Sequence, residues 1–410
     1  MFPNSKLRKL PRSLDLLGSE DRLSILLVSL SYPPALGGSE TEAQRVCAAL
    51  ISRGHHVQVV CGAVGPMPEK REWVDPFRVP VRIFGHGLPG RWLDRAFALR
   101  VVETVLRERK AYNLVYFLMP GLHVTLCLPI TTLLGIPVVM KFACSGHITT
   151  VGNSLLGRLQ LYWLRCWARR IIVLNDGMFQ EAAAAGFRPE QLQWMPNPVD
   201  VEEFAPCRSV DRERIRSSLG LDSDAPVTIY VGRLAPEKNL KTLLKGFARV
   251  HQTMPPAVLV LVGEGTEGFQ LKELANQLGI ASNVRFMGRV DMPTILHWLQ
   301  ASDVFALVSH NEGFSCSLIE AMSTGLPSVV SKIPGNTQLI DAGVTGIIVD
   351  ENDDIAIADA IMTLTTNAAL AASLGLAARQ RIGTNYTTEL VVKRYEEMFY
   401  EIARSIAVPS

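Results

Sequence analysis

The sequence predicts an α/β protein of two domains, each a parallel sheet wrapped by helices, and three observations carry that prediction. Short apolar runs without alternation, at 23–30, 227–231, 259–262 and 304–308, read as strands buried on both faces. Each is followed by a loop rich in Gly or Pro and then by a helical pattern, the rhythm of strand-loop-helix units. The length, 410 residues, exceeds one ordinary core and suits two domains of roughly 200 residues each.

Composition narrows the function classes. With 48% hydrophobic and 20% charged residues the chain is globular, and a formal net charge of +2 without a basic stripe of interleaved aromatics gives no case for nucleic acid. Seven scattered cysteines, never spaced Cys-x2-Cys, indicate neither a disulfide framework nor a zinc site, and a reducing cytoplasm fits them. Residues 1–22 lack an uninterrupted apolar core and read as a loose arm rather than a signal peptide. The stretch 114–143 is nearly uncharged over a length that could span a bilayer. Pro120, Gly121, Pro129, Gly135 and Pro137 divide it, however, into strand, helix and strand, a buried βαβ unit.

In order, the first strand (23–30) leads through Gly37-Gly38 into a helix at 41–53. Paired glycines allow a backbone to pass close to a ligand, or simply supply a turn of positive φ. His55 and His56 follow the helix-ending Gly54 and read as structural, ahead of a strand at 58–61. Residues 64–90, rich in Pro and Gly, read as a variable, partly exposed segment. Helices at 91–110 and 155–170 intersperse arginines with Trp92, Leu93, Phe97, Tyr162, Trp163 and Trp167, faces that suit either ordinary packing or an anionic lipid surface. Strand 137–142 runs into Lys141, Ser145 and His147, and His123 opens the preceding helix; these are candidates for the cleft edge. Strand 171–175 and the proline-stiffened run 194–206 close the first half, with the boundary within 198–220.

The second half opens on strand 227–231 and Gly232-Arg233-Leu234-Ala235-Pro236-Glu237-Lys238. Two cations five residues apart at a sheet edge can stabilise the charge that develops on a departing diphosphate. Gly265, after strand 259–262, suits close approach to a base or ribose. Asp222-Ser223-Asp224 mimics a metal-binding Asp-x-Asp but precedes its strand in a Gly/Asp/Pro turn, and is set aside. No metal or cofactor is expected. The central stretch is 303–341, with His310-Asn311-Glu312-Gly313-Phe314-Ser315-Cys316-Ser317-Leu318-Ile319-Glu320-Ala321-Met322 between a strand at 304–308 and a helix at 317–324 closed by Gly325. A helix amino terminus at the carboxyl edge of a sheet attracts phosphate, which the acids Glu312 and Glu320 would repel. They are better placed to accept hydroxyl hydrogen bonds, one from a sugar and one from a ribose, which describes a nucleotide sugar.

Glu312 and Glu320, seven residues intervening, followed by Ala321-Met322 and Gly325-Leu326-Pro327, resemble the signature of retaining glycosyltransferases of family 4. Gly37-Gly38, Arg53-Gly54-His55 and Gly232-Arg233-Leu234 with Glu237-Lys238-Asn239 agree with the same family over about 380 residues. The resemblance implies the GT-B fold: two Rossmann-like domains facing a cleft, residues 23–200 holding the acceptor and 201–385 the nucleotide sugar, with a helix at 386–410 crossing back onto the first domain. It implies transfer of a sugar from a UDP- or GDP-sugar to a hydroxyl of a glycan, lipid-linked or small acceptor, with retained configuration. Arg233, Lys238 and Glu312 would be catalytic. Gly37, Gly38, Gly232, Gly265, Gly313, Phe314, Ser315, Cys316, Ser317, Leu318 and Glu320 would line the donor, Glu320 on its ribose. Ala143 stands where relatives carry a histidine; His147 would occupy related space, or Lys141 and Ser145 would serve instead, with His123 another cleft-edge candidate, and Pro334 and Gln338 depart from the pattern as well. Two rivals stay open: a sugar phosphorylase or epimerase on this fold, and a non-catalytic binder of nucleotide sugars. Peripheral contact with the inner membrane face is also left open.

Overall fold

Strands form where the apolar runs lie, because only the interior of a helix-covered sheet buries both faces of such a run. The computed structural model describes residues 22–35, 37–64, 72–88 and 90–407; the expected amino-terminal arm and part of segment 64–90 lie outside them. The first half contains β1 (Ser24–Ser29), α1 (Gly38–Ser52), β2 (His56–Gly62), β3 (Glu72–Val74), β4 (Pro80–Phe84), α2 (Gly90–Arg107), β5 (Leu114–Phe117), α3 (Leu122–Leu133), β6 (Val138–Lys141), α4 (His147–Gly152), α5 (Leu155–Trp167), β7 (Arg170–Val173), α6 (Asp176–Ala184) and β8 (Leu192–Trp194). Its sheet runs β3-β4-β2-β1-β5-β6-β7-β8, parallel but for β3, which pairs antiparallel with β4. Segment 64–90, read from sequence only as variable and partly exposed, holds two strands, β3 and β4: both are short, and surrounding Pro and Gly residues obscure their alternation.

The second half contains α7 (Ser209–Ser218), β9 (Val227–Val231), α8 (Leu240–Thr253), β10 (Val258–Val262), α9 (Gly268–Gln277), β11 (Val284–Gly288), α10 (Met292–Ala301), β12 (Val304–Leu307), α11 (Cys316–Ser323), β13 (Ser328–Ser331), α12 (Pro334–Thr337), β14 (Ile347–Val349), α13 (Asp354–Thr366), α14 (Ala368–Asn385) and α15 (Thr388–Ala407). Its sheet is parallel throughout, ordered β11-β10-β9-β12-β13-β14. The expected βαβ unit at 114–143 is β5-α3-β6, and no single helix among the described residues is long and apolar enough to cross a membrane. The bent pair α13 and α14 passes that test by composition, but it packs on α8 and α11.

Strand order fixes where ligands can bind. The first sheet reverses direction between β1 and β5, the second between β9 and β12, and a crevice opens outside the carboxyl ends of strands at such a switch point. The Gly37-Gly38 loop follows β1, the Arg233–Lys238 loop follows β9, and the Glu312 loop follows β12. Right-handed crossovers then put α1 on one side of the first sheet and α2, α3 and α5 on the other.

α15 returns to pack on α1. Tyr395, Met398 and Phe399 are buried there as their spacing predicts, whereas Leu390 is exposed, because it lies in the first turn on the outer side. His55 is structural as expected: its Nδ1 accepts from the Leu23 amide, and its Nε2 lies 2.8 Å from Glu396 of α15. His56 is exposed on β2.

Candidate functional site

The site is assembled from loops that end buried strands, so rigid backbones place its side chains. After β9, Arg233 extends into solvent and pairs at 2.8 Å with Glu237, while Lys238 turns inward. Lys238 Nζ lies 2.7 Å from Glu312 Oε1, and Ser309 Oγ donates to the same oxygen at 2.7 Å. The cation from one loop and the carboxylate from the other thus meet at the switch point. α11 begins four residues beyond Glu312, its first turn capped by Ser315 Oγ, which accepts from the Leu318 amide. Amides at that start have no carbonyl partner within the helix and aim toward the cleft edge.

Across the cleft, the glycine pair meets α11 directly: Cys316 Sγ donates to the Gly38 carbonyl at 3.3 Å. A Cβ on Gly37 would strike the Glu40 carboxylate, which Ser31 holds in place. Burial, with Glu320 nearby, pushes the Cys316 thiol's pKa up to about 12, which keeps it protonated and unreactive at neutral pH. Gly313 packs so tightly that an added Cβ would sit 2.4 Å from the Ala143 carbonyl of the first domain. Ala143, expected to stand where relatives carry a histidine, thus lies at the domain contact, where Gly313 crosses.

Several candidates have structural employment. Gly232, Gly263 and Gly265 lock two loops together: the Gly232 amide donates to the Val262 carbonyl, the Leu234 amide to Glu264, and a Cβ on Gly265 would lie 2.3 Å from the Leu234 carbonyl. Phe314 turns its ring away from the cleft and packs on Tyr386, ring centres 5.4 Å apart, and the Leu318 side chain is core. Ser317 is half-buried at the helix start. Glu320 is 4% exposed and bound by Arg45 at 2.6 Å, so in this structure it faces an arginine of α1. Burial pushes its carboxyl pKa up, opposed by that arginine.

The acceptor-side candidates separate clearly. Lys141 is buried, paired with Glu42 at 2.9 Å and donating to Asn197 Oδ1 at 3.0 Å, which removes it from the cleft edge. His123 is buried against Phe97 and Phe117, and desolvation lowers its pKa to about 4. It lies in the core, because the face of α3 that carries positions 123, 124, 127 and 128 packs inward. His147 alone stays at the lip, half-buried at the start of α4, with burial lowering its pKa against the opposing pull of Glu181. Next to it, Asn311 donates to the Ser145 carbonyl across the cleft at 2.9 Å.

Sequence reading missed the residues that hold the two domains together here. Asn175 donates to the Gly313 carbonyl at 2.6 Å, and Asn197 to the Phe314 carbonyl at 2.7 Å, each from the end of a first-domain element. Arg45 and Glu42, four and one helical positions into α1's second turn, carry no local signal; only their buried partners give them meaning. Among the described residues no group of three or more His, Cys, Asp or Glu side chains is placed to hold a metal.

Comparison with known proteins agrees with this geometry. Family models described as Glycosyltransferase Family 4 and Glycosyl transferases group 1 match residues 36–203 and 211–381. The N-acetyl-alpha-D-glucosaminyl L-malate synthase of Bacillus anthracis is 22% identical over 392 residues, 92% of this chain and 98% of that protein. The UDP-Gal:alpha-D-GlcNAc-diphosphoundecaprenol alpha-1,3-galactosyltransferase of Escherichia coli is 32% identical over 218 residues, 52% of this chain and 55% of that one. Among solved structures, sucrose-phosphate synthase of Thermosynechococcus elongatus superposes with a TM-score of 0.80 at 20% identity, covering 94% of this chain and 100% of that one. HepE of Anabaena, solved with UDP and glucose, gives 0.77 at 21% identity, covering 93% and 100%. With two adjacent family matches and two facing Rossmann-like domains, the chain belongs to the family 4 glycosyltransferases of the GT-B fold.

Proposed function

We propose that the chain moves a glycosyl group from a UDP- or GDP-sugar to a hydroxyl acceptor with retention of configuration, in glycan or glycolipid synthesis. The observation that carries this reading is the meeting of Lys238 and Glu312, from the two loops at the second sheet's switch point, opposite the glycine pair. Arg233 has the exposure and reach to turn from Glu237 onto a diphosphate, and Lys238 neutralises a second phosphate oxygen while it steadies Glu312. These cations stabilise the leaving nucleotide as its charge grows, so the reading needs no metal. Glu312 Oε1 is taken by Lys238 and Ser309, and its Oε2 accepts a hydroxyl of the donor sugar. An incoming ribose must share Glu320 with Arg45.

Retention is the family expectation, and the site supports its front-face form over a covalent intermediate: the Cys316 thiol is held protonated by burial and Glu312 is clamped by two donors, so in this reading the acceptor attacks on the face that the diphosphate leaves. The leaving phosphate oxygen takes the acceptor's proton in that step. On the first domain, His147 borders the acceptor's entry, and a neutral imidazole there suits a hydroxyl.

The test is a thermal-shift screen of UDP, GDP, ADP and their sugar conjugates, followed by turnover with acceptors and NMR assignment of the product anomer. Stabilisation by one nucleotide series with retained product, undiminished by EDTA, is expected. Inverted product would overturn the front-face mechanism, loss of activity restored by a divalent cation would overturn the metal-free reading, and phosphate-dependent release of sugar phosphate would mark a phosphorylase.

A further inference from the structure

Scattered exposed apolar residues are ordinary, but here they fall in helical register on one layer of the first domain. α2, α3 and α5 pack side by side on the same side of the sheet. On α2, Trp92, Leu99 and Leu106 are exposed at intervals of seven, which places them on a single stripe. On α5, Leu155, Leu159 and Tyr162 repeat the pattern, with Leu156 beside them. Between them, α3 turns Leu126 and Ile130 partly outward, and Leu133 fully. These positions were free to be polar, since nothing among the described residues covers them.

Charge on the same layer is one-sided. Between residues 109 and 175 every charged side chain is Lys or Arg. The acids of α2 and its end are mostly neutralised: Glu103 binds Arg100 and Arg107, and Glu108, just past the helix, binds Arg82, which leaves Asp94 as the exposed exception. Two arginines also lie over aromatic rings of the stripes, Arg95 over Trp92 at 5.4 Å and Arg165 over Tyr162 at 5.7 Å. Apolar bodies edged by cations suit an interface between acyl chains and anionic headgroups, whereas a water-facing surface would gain nothing from them.

Direction completes the argument. A helix that follows a parallel strand starts at the strand's carboxyl end, so the first turns of α2 and α5 lie at the edge where the cleft opens. Those turns hold Trp92, Leu155 and Leu156, 54%, 85% and 51% exposed, with Arg91, Arg95 and Arg158. We propose that the first turns of α2 and α5 dock on an anionic lipid bilayer and present the cleft to an acceptor carried in that bilayer. The proposal rests on the reading that the first domain holds the acceptor, and it names that acceptor's class as membrane-borne.

The test is co-sedimentation of the full chain with phosphatidylcholine vesicles, with and without phosphatidylglycerol. Wild type is expected to bind only the phosphatidylglycerol vesicles, and to be released by salt. Replacing Arg91, Arg95 and Arg158 together by Gln should weaken partitioning on the order of 100-fold, as three surface cations imply. A second variant, Trp92→Ser with Leu155→Ser and Leu156→Ser, should abolish binding. Both variants should keep the wild-type thermal shift with the nucleotide donor, which separates failure of this proposal from failure of the donor reading. Wild type that ignores phosphatidylglycerol vesicles would overturn the proposal, as would variants that bind them equally well. A concentration-dependent dimer abolished by the apolar variant would also overturn it, by assigning the face to a second copy of the chain.

Discussion

Arg45 and Glu320 form a 2.6 Å ion pair between the first helix of one domain and the helix of the donor loop in the other, with 12% and 6% of their side chains exposed. Arg45 also donates to the Pro198 carbonyl at 3.3 Å and lies over the Phe204 ring at 5.4 Å, so one guanidinium ties α1, the interdomain crossing and α11 together. The second glutamate of the motif consequently belongs to the domain contact as much as to a ligand.

Removing one partner of such a pair strands the other charge in a dry place. Glu320→Ala and Arg45→Ala should each lower unfolding free energy by about 3–5 kcal/mol, whereas Arg45→Met with Glu320→Leu should recover much of that loss. Denaturant titration of the three variants checks this. If either single variant unfolds at the wild-type midpoint, the pair is not holding the domains together. Loss of donor affinity in Glu320→Ala therefore has to be read beside its loss of stability.

Arg233 and Lys238 should separate in the opposite sense. Arg233 is exposed and, among the described residues, pairs only with its neighbour Glu237, so Arg233→Ala should leave stability within about 0.5 kcal/mol of wild type. Its turnover should nevertheless fall by about 10²–10³, the cost of losing one charged donor at a transition state. Lys238→Ala should damage both, because Glu312 then loses its buried counter-ion. Melting temperature and kcat measured on the same preparations decide it; full turnover in Arg233→Ala would remove that residue from the mechanism.

The loops after β9 and β12 were legible because each follows an uninterrupted apolar strand and carries charge that no turn requires. Arg45, Glu42, Asn175 and Asn197 were not: Arg45 pairs with Glu320, Glu42 with Lys141, Asn175 with Gly313 and Asn197 with Phe314, pairs 99 to 275 positions apart, and local pattern says nothing about such pairs. Lys141 and His123 were drawn toward the cleft by their place beside strand ends. The structure puts Lys141 against Glu42, and the inward face of α3 puts His123 between Phe97 and Phe117. Gly265 shows the same limit from another side. Its sequence context fits approach to a ligand, yet the backbone of Leu234 already requires a glycine there.

Gly313 should tolerate no side chain. An added Cβ would meet the Ala143 carbonyl at 2.4 Å and Leu174 at 3.0 Å, and backbone on the far side cannot rotate away. Gly313→Ala should destabilise by about 1–3 kcal/mol and open the domain contact, visible as a larger radius of gyration in solution scattering and a weaker donor thermal shift. A variant with wild-type scattering and donor response would show that the contact is looser than this packing implies.

Acid should find His123 before it finds the carboxylates of the site. The imidazole is buried beside Phe97, ring centres 5.1 Å apart, and desolvation holds its pKa near 4 against the usual 6.5. Between those two values the unfolded chain takes up a proton that the folded chain refuses, so this residue's contribution is intact above pH 6.5 and drains away as pH falls toward 4. The full loss is on the order of 3 kcal/mol, from roughly 2.5 pH units of displacement. His123→Leu, close in volume and without a proton to bind, should flatten the fall in stability across that window while leaving the plateau above pH 7 within about 1.5 kcal/mol of wild type. Denaturant unfolding of both proteins from pH 7.5 to 4.5 makes the comparison. Parallel pH profiles would mean that His123 gains its proton without unfolding the core around it, and that acid acts elsewhere.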